Sequence, residues 1–247
     1  MDYSLYFIGI IYEGIIIIIA LPILIRSLIN YLKLRNKLSL LLFLILLNFS
    51  ISIFFSWFAK IISYFWRIDY IEYANIPDPK TPISWILLRI CYFRFSYIFI
   101  TIAIYLSYIF RIKIFEIEYH QIQKVLVEIF TFFNLFFALF FFDKKNKFYD
   151  VLLFLIVFTF MSIVFIPFMK QSIKAYISSQ NSQFRKAFLS LTIMSISYIS
   201  VLLCLLIDRI YIFLGYFGFT VFYFMSWIFV LIGIFGNYFG YLRYSNQ

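Results

Sequence analysis

Apolar residues along this chain come in unbroken runs instead of recurring at the period of a soluble helix or strand. Residues 15–24 and 38–47 hold almost no polar side chain, and comparable runs recur to the C-terminus. Crossing about 30 Å of hydrocarbon at 1.5 Å per residue takes roughly 20 residues, so runs of this length predict membrane-spanning helices. An outer-membrane barrel would instead show segments of about 10 residues alternating apolar and polar. These do not alternate, and the fold class expected is all-α, a polytopic transmembrane helical bundle.

Placing the runs predicts a single transmembrane domain of about seven spans, at residues 5–28, 38–58, 83–110, 125–142, 151–169, 186–207 and 211–242. Pro22 should kink or loosen the inner part of the first. A short basic loop with Arg26, Lys33, Arg35 and Lys37 follows it. Residues 60–82 read as a loop, because the prolines of IPDPKTP (76–82) forbid a continuous helix, with a possible interfacial stretch at 61–66. DKKNK (143–147) reads as a tight turn, residues 170–185 as a polar linker, and Asp208–Arg209 as the break between the last two spans. That final boundary is the weakest, since FLGYFG (213–218) reads equally as loop or helix.

Composition agrees with this picture. Of 247 residues, 65% are hydrophobic and only 13% charged, against about 25% charged in a soluble domain. The net charge of +10 would fit a nucleic-acid binder if it were clustered. It lies instead in short segments flanking the apolar runs, where it sets orientation, so no nucleic acid is expected and the lipid bilayer is the principal partner. Twelve Lys and Arg fall on one side of a seven-span layout and seven on the other. The positive-inside rule then puts the N-terminus outside and the C-terminus in the cytoplasm. The expected location is the cell (plasma) membrane, with the mitochondrial inner membrane as the alternative.

Charges inside spans are the first candidates for function, because each costs several kcal/mol unless paired or hydrated. Glu13, Arg89, Arg94 and Asp208 all fall at a similar, outer depth, and an intramembrane polar cluster built on them is the sharpest expectation. Glu13 with Arg89 or Arg94 could be a structural ion pair, a ligand or ion site, or a pair snorkelling to the interface. Arg89 and Arg94 point about 140° apart on one helix and should have different partners. Stripes of hydroxylic and small residues, at Asn48, Ser52 and Ser56 and at Ser190, Ser197, Ser200, Cys204 and Asp208, read first as helix-packing surfaces. So do the glycines of the last span.

His120, in EIEYH, is a solvated loop residue on this reading. The chain has only two cysteines, Cys91 and Cys204, so neither a disulfide framework nor a metal site is expected, and no cofactor. No catalytic constellation appears, and no enzyme is expected.

Seven helices invite comparison with two families. Microbial rhodopsins carry retinal on a lysine of the last helix, but residues 210–242 contain none. Rhodopsin-like G-protein-coupled receptors carry an Asp-Arg-Tyr-type triplet at the inner end of the third helix, where this chain reads SYIFRIK (107–113). By its basic turn LIRSLINYLKLRNK (24–37), a second span ending SWFAK (56–60) and a closing LIGIFGNYFGYLRY (231–244), the chain resembles the seven-helix input modules of prokaryotic sensor proteins. It also resembles uncharacterised seven-helix membrane proteins of AT-rich archaea. The resemblance implies a stand-alone sensor or receptor-like protein. With only four residues after Arg243, it would signal through a separate partner protein. The alternatives are an accessory subunit of a multisubunit membrane complex, or a small transporter.

Overall fold

A computed structural model describes residues 3–66, 81–117, 121–141, 148–216 and 218–245. The described residues form α-helices and no strand: α1 (Tyr3–Leu34), α2 (Lys37–Phe65), α3 (Pro82–Cys91), α4 (Arg94–Ile114), α5 (Gln121–Phe140), α6 (Phe148–Ser178), α7 (Ser182–Phe213) and α8 (Val221–Ser245). All but α3 are long and apolar enough to cross a membrane. The chain is an all-α integral membrane protein with seven such helices, as its hydropathy requires.

Several boundaries differ from the sequence reading. α1 runs through Pro22 to Leu34, so Arg26 and Lys33 lie on the helix and not in a loop. The turn that follows is only Arg35 and Asn36. Arg35 takes a left-handed φ of 48°, and Asn36 caps α2 by accepting from the Ser39 amide at 2.7 Å. α2 continues to Phe65, so Lys60 is a helical residue and not the start of a loop. α7 likewise runs to Phe213, so Asp208–Arg209 is not the break between the last two spans. The helix gives way later, after Phe213, with Gly215 at φ 92° and α8 beginning at Val221. Two expectations, the IPDPKTP loop through Lys80 and the DKKNK turn, lie outside the described residues, as does His120.

The third expected span is broken. α3 ends at Cys91 and α4 begins at Arg94, with Phe93 left-handed at φ 59° between them. A bulky L-residue in that conformation costs about 1–2 kcal/mol, and neither Gly nor Pro marks the place. α3 stays packed on α2 and α4, and the Phe93 ring at the break is buried in the bundle, 7% exposed.

Contacts between neighbouring helices close a ring in chain order. α1 packs on α2, α2 on α4, α4 on α5, α5 on α6, α6 on α7, α7 on α8, and α8 returns to α1, while α3 leans on α2 and α4. The closest seam is between α7 and α8. A side chain at Gly236 would begin 2.9 Å from the Ser190 carbonyl oxygen, and one at Gly240 2.8 Å from Leu191. These glycines let the two backbones approach as small residues do in membrane helix pairs. The outside of the ring is apolar, for example Phe132, Phe136 and Phe140 of α5 and Ile11, Ile15 and Ile18 of α1, as a surface solvated by lipid must be.

Candidate functional site

Because successive spans run in opposite directions, the early part of α1, α4, α6 and α8 meets the late part of α2 and α7 at one end of the bundle. Glu13, Lys60, Arg94, Asp150, Asp208, Arg209 and Tyr223 all fall there. Charges that look scattered in sequence share one depth.

At the centre is an ion pair. Lys60 Nζ lies 2.6 Å from Glu13 Oε1, and both side chains are closed off from solvent. Ser56, one turn before Lys60, accepts from Nζ at 3.1 Å and donates to the same carboxylate oxygen at 3.3 Å. Tyr223 on α8 donates to that oxygen from 2.5 Å. Glu13 thus joins α1, α2 and α8 through a single atom, and its Oε2 is buried without a hydrogen-bond partner. Desolvating the two charges is costly, and only the attraction between them together with the hydroxyl bonds makes their burial tolerable. Gly9, one turn before Glu13, keeps the space open: a Cβ there would lie 3.0 Å from the Phe219 ring and 3.3 Å from the Lys60 stem.

Phe93 extends the cluster. Lys60 Nζ sits 4.6 Å from the ring centroid and the Arg209 guanidinium 5.2 Å from it, so one ring serves two cations. Arg209 also lies 5.2 Å from the Phe154 ring of α6, and it is within electrostatic reach of Lys60. Arg94 makes a direct ion pair with Asp150. Asp208 Oδ1 accepts from both the amide and the hydroxyl of Thr220, at 3.0 and 2.8 Å, which ties the end of α7 to the residue preceding α8.

Of the four residues singled out from sequence, Glu13, Arg94 and Asp208 stand at this end with separate partners. Glu13 pairs with Lys60 and not with Arg89 or Arg94. Arg89 does something else. Its Nε donates to the Leu139 carbonyl at 2.8 Å, its Nη1 to the Trp85 carbonyl at 3.1 Å, and its guanidinium stacks 3.5 Å above the Trp85 ring. Leu139 is in the last turn of α5, whose carbonyls lack helical partners, so Arg89 caps α5.

Sequence reasoning missed Lys60, Asp150 and Tyr223. For Lys60 a signal was present, since it continues the Asn48, Ser52, Ser56 spacing by one further turn. Within the stripes, Asn48, Ser190 and Ser197 each donate to the carbonyl four residues earlier in their own helix, whereas Ser56 turns to Glu13 and Asp208 to Thr220. Cys91 and Cys204 are buried free thiols. Among the described residues no group of three or more His, Cys, Asp or Glu side chains could hold a metal ion.

The cluster heads a cavity of about 90 Å³ between the α2–α4 side of the ring and α6, α7 and α8. One water needs about 10–15 Å³, so the space has room for several. Lys60, Arg209, Phe93 and Tyr223 line one end, and Phe49, Tyr198, Met161 and Ile234 the other. Tyr198 forms the floor by stacking on Phe49 at 4.6 Å between centroids, in room left by Gly233, where a Cβ would lie 2.4 Å from the ring. Ser96 Oγ and Trp227 Nε1 belong to lining residues and are buried without protein partners. They are the polar groups that a guest or trapped waters would satisfy. Comparisons of the chain with protein-family models, with curated proteins and with solved structures find no match.

Proposed function

We propose that this protein is a seven-helix sensor or receptor-like protein of the cell membrane, holding a small ligand in its central cavity and signalling through a separate partner protein. One observation carries the reading: a buried ion pair, Lys60–Glu13, shared by α1, α2 and α8, stands at the head of a cavity that reaches the middle of the bundle. Helices joined through one carboxylate oxygen form an arrangement that a guest beside Lys60 would bias, and bias between two arrangements is what a receptor requires. With the orientation expected from the Lys and Arg distribution, the cluster lies near the outer surface, and the α6–α7 turn at Ser179 faces the cytoplasmic partner. The reading assigns no reaction to these residues.

The test uses the full chain purified in mild detergent, with an environment-sensitive fluorophore on Ser179→Cys. Adding a total lipid extract of the host membrane should shift the emission. The double variant Lys60→Met/Glu13→Leu, which removes both charges together, should blunt the shift while still accumulating in the membrane. If no extract changes the emission, or the double variant responds as the parent does, the cluster is structural and the reading fails. Recovery of the protein only with a fixed set of larger proteins would favour the subunit alternative.

A further inference from the structure

We infer that the central cavity takes a small neutral molecule with a hydrocarbon body and one hydrogen-bond-accepting oxygen, such as a short-chain ketone or alcohol, seated between Ser96 and Trp227. This rests on the reading of the cavity as a ligand site and adds the chemistry of the ligand.

Size comes first. An apolar cavity of about 150 Å³ in another protein holds benzene, which is about 25 Å³ for each non-hydrogen atom. The cavity here, of about 90 Å³, therefore admits roughly four such atoms. An acyl chain, a sugar or a nucleotide is too large.

Charge comes next. The lining holds two cations, Lys60 and Arg209, and no carboxylate, but both cations are already engaged. Lys60 is balanced by Glu13 at 2.6 Å, and its remaining bonds go to Ser56. Arg209 lies against the Phe93 and Phe154 rings and within electrostatic reach of Asp150. Ser56 and Tyr223 both donate to Glu13, and Ser226 donates to the Tyr223 carbonyl. An ionic guest would find no charge left to answer its own and would be buried uncompensated. The guest is neutral.

Two lining groups remain open. Ser96 Oγ on α4 and Trp227 Nε1 on α8 are buried without a hydrogen-bond partner, in residues only 4% and 6% exposed. Ser96 comes three residues after Phe93 and Trp227 four after Tyr223, so each stands about one helical turn inside the cation end of the cavity. An indole N–H can only donate, whereas a hydroxyl can donate or accept. The guest must therefore bring an acceptor for Trp227, and its oxygen can also bond Ser96.

The remainder of the guest has to be hydrocarbon, because the walls include Ile53, Ile100, Leu202 and Val230. Water alone fits less well. Several waters would fill the space, each needs about two to four polar partners, and two open groups among hydrocarbon supply too few. One polar atom on an apolar body matches what the lining offers.

The full-length protein in nanodiscs, isotope-labelled at its tryptophan indole nitrogens, gives the readout by magnetic resonance. The chain has four tryptophans, and the signal lost in Trp227→Phe identifies that of Trp227. Acetone should shift this signal saturably, with no saturable change at Trp57, Trp66 or Trp85. Isobutene, which has the same shape and no oxygen, should compete with acetone at least tenfold more weakly. Dibutyl ketone, which has the same carbonyl on a body too long for the space, should not compete. Ser96→Ala should weaken acetone severalfold and leave isobutene unchanged. Isobutene competing as well as acetone would overturn the accepting oxygen while leaving a ligand cavity. Dibutyl ketone competing as well as acetone, or Ser96→Ala binding acetone as the parent does, would overturn the proposed seat. No saturable shift at Trp227 would mean that water alone fills the space, and would overturn both the guest and the ligand cavity. Acetone binding without any change at the Ser179→Cys fluorophore would keep the site and overturn the sensor reading. Should Ser96→Ala fail to accumulate, the three guests compared on the parent chain decide without it.

Discussion

Lys60 Nζ and Glu13 Oε1 meet at 2.6 Å in the interior of the bundle, and neither side chain reaches solvent. Removing one partner leaves the other charge buried and uncompensated, which typically costs about 3–5 kcal/mol. Lys60→Met should therefore destabilise strongly, since Ser56 and Tyr223 would remain around a lone carboxylate. Glu13→Gln should do so too, since an amide oxygen can accept from the ammonium but cannot balance its charge. The double variant Lys60→Met/Glu13→Leu removes both charges and should regain most of the loss. Unfolding in mixed micelles, arranged as a double-mutant cycle, measures the coupling. A double variant as unstable as the sum of the singles would refute it.

Gly9 and Gly14 sit on the same helix but differ in what surrounds them. A Cβ at Gly9 would press on the Phe219 ring at 3.0 Å and on the Lys60 stem at 3.3 Å, whereas at Gly14 the nearest atom is Trp57 Nε1 at an ordinary 3.4 Å. Alanine is the better helix former by about 1 kcal/mol. Gly14→Ala should thus leave stability unchanged or slightly raised. Gly9→Ala should lower the melting temperature, and Gly9→Val should lower it further. Thermal unfolding followed by circular dichroism distinguishes the two sites.

How far the molecule was legible in advance depends on which physics governs each feature. Spans of unbroken hydrocarbon side chains have one stable solution in lipid, so the helices could be placed from hydropathy alone. Their ends could not. Asp208–Arg209 and Lys60 look like loop residues because an isolated charge is costly in a membrane, yet both lie on helices, where partners from other helices meet them. Those partners, Glu13 for Lys60 and Thr220 for Asp208, lie 47 and 12 residues away in the chain. Nothing local marks such pairings. The break at Phe93 was hidden for another reason: the residue adopts its left-handed backbone without being Gly or Asn, and the surrounding bundle must hold it there.

Asp208 makes a graded prediction possible. Its Oδ1 accepts from both the amide and the hydroxyl of Thr220. Thr220→Val removes the hydroxyl donor and keeps the amide, so it should cost about 1 kcal/mol. Asp208→Ala removes the acceptor for both, leaves Thr220 unsatisfied and should cost about 2–3 kcal/mol. The order of the two in micellar unfolding is the check. Equal losses would mean that the hydroxyl carries the whole interaction.

Orientation has a direct test on α7, whose 32 residues are long enough to put their two flanking turns on opposite faces of a bilayer. Ser179 precedes the helix and is half-buried, and Tyr216 follows it and is exposed. The two native cysteines, Cys91 and Cys204, are buried and should label slowly, which leaves an introduced thiol as the main target. On intact cells a membrane-impermeant maleimide should modify Tyr216→Cys, at the end bearing Glu13 and Lys60. Ser179→Cys should react only after permeabilisation. The reverse pattern would place the charge cluster on the cytoplasmic side, and the guest of the cavity would then have to come from within the cell. Labelling of both on intact cells would mean that α7 does not cross the membrane, and the seven-span bundle would have to be abandoned.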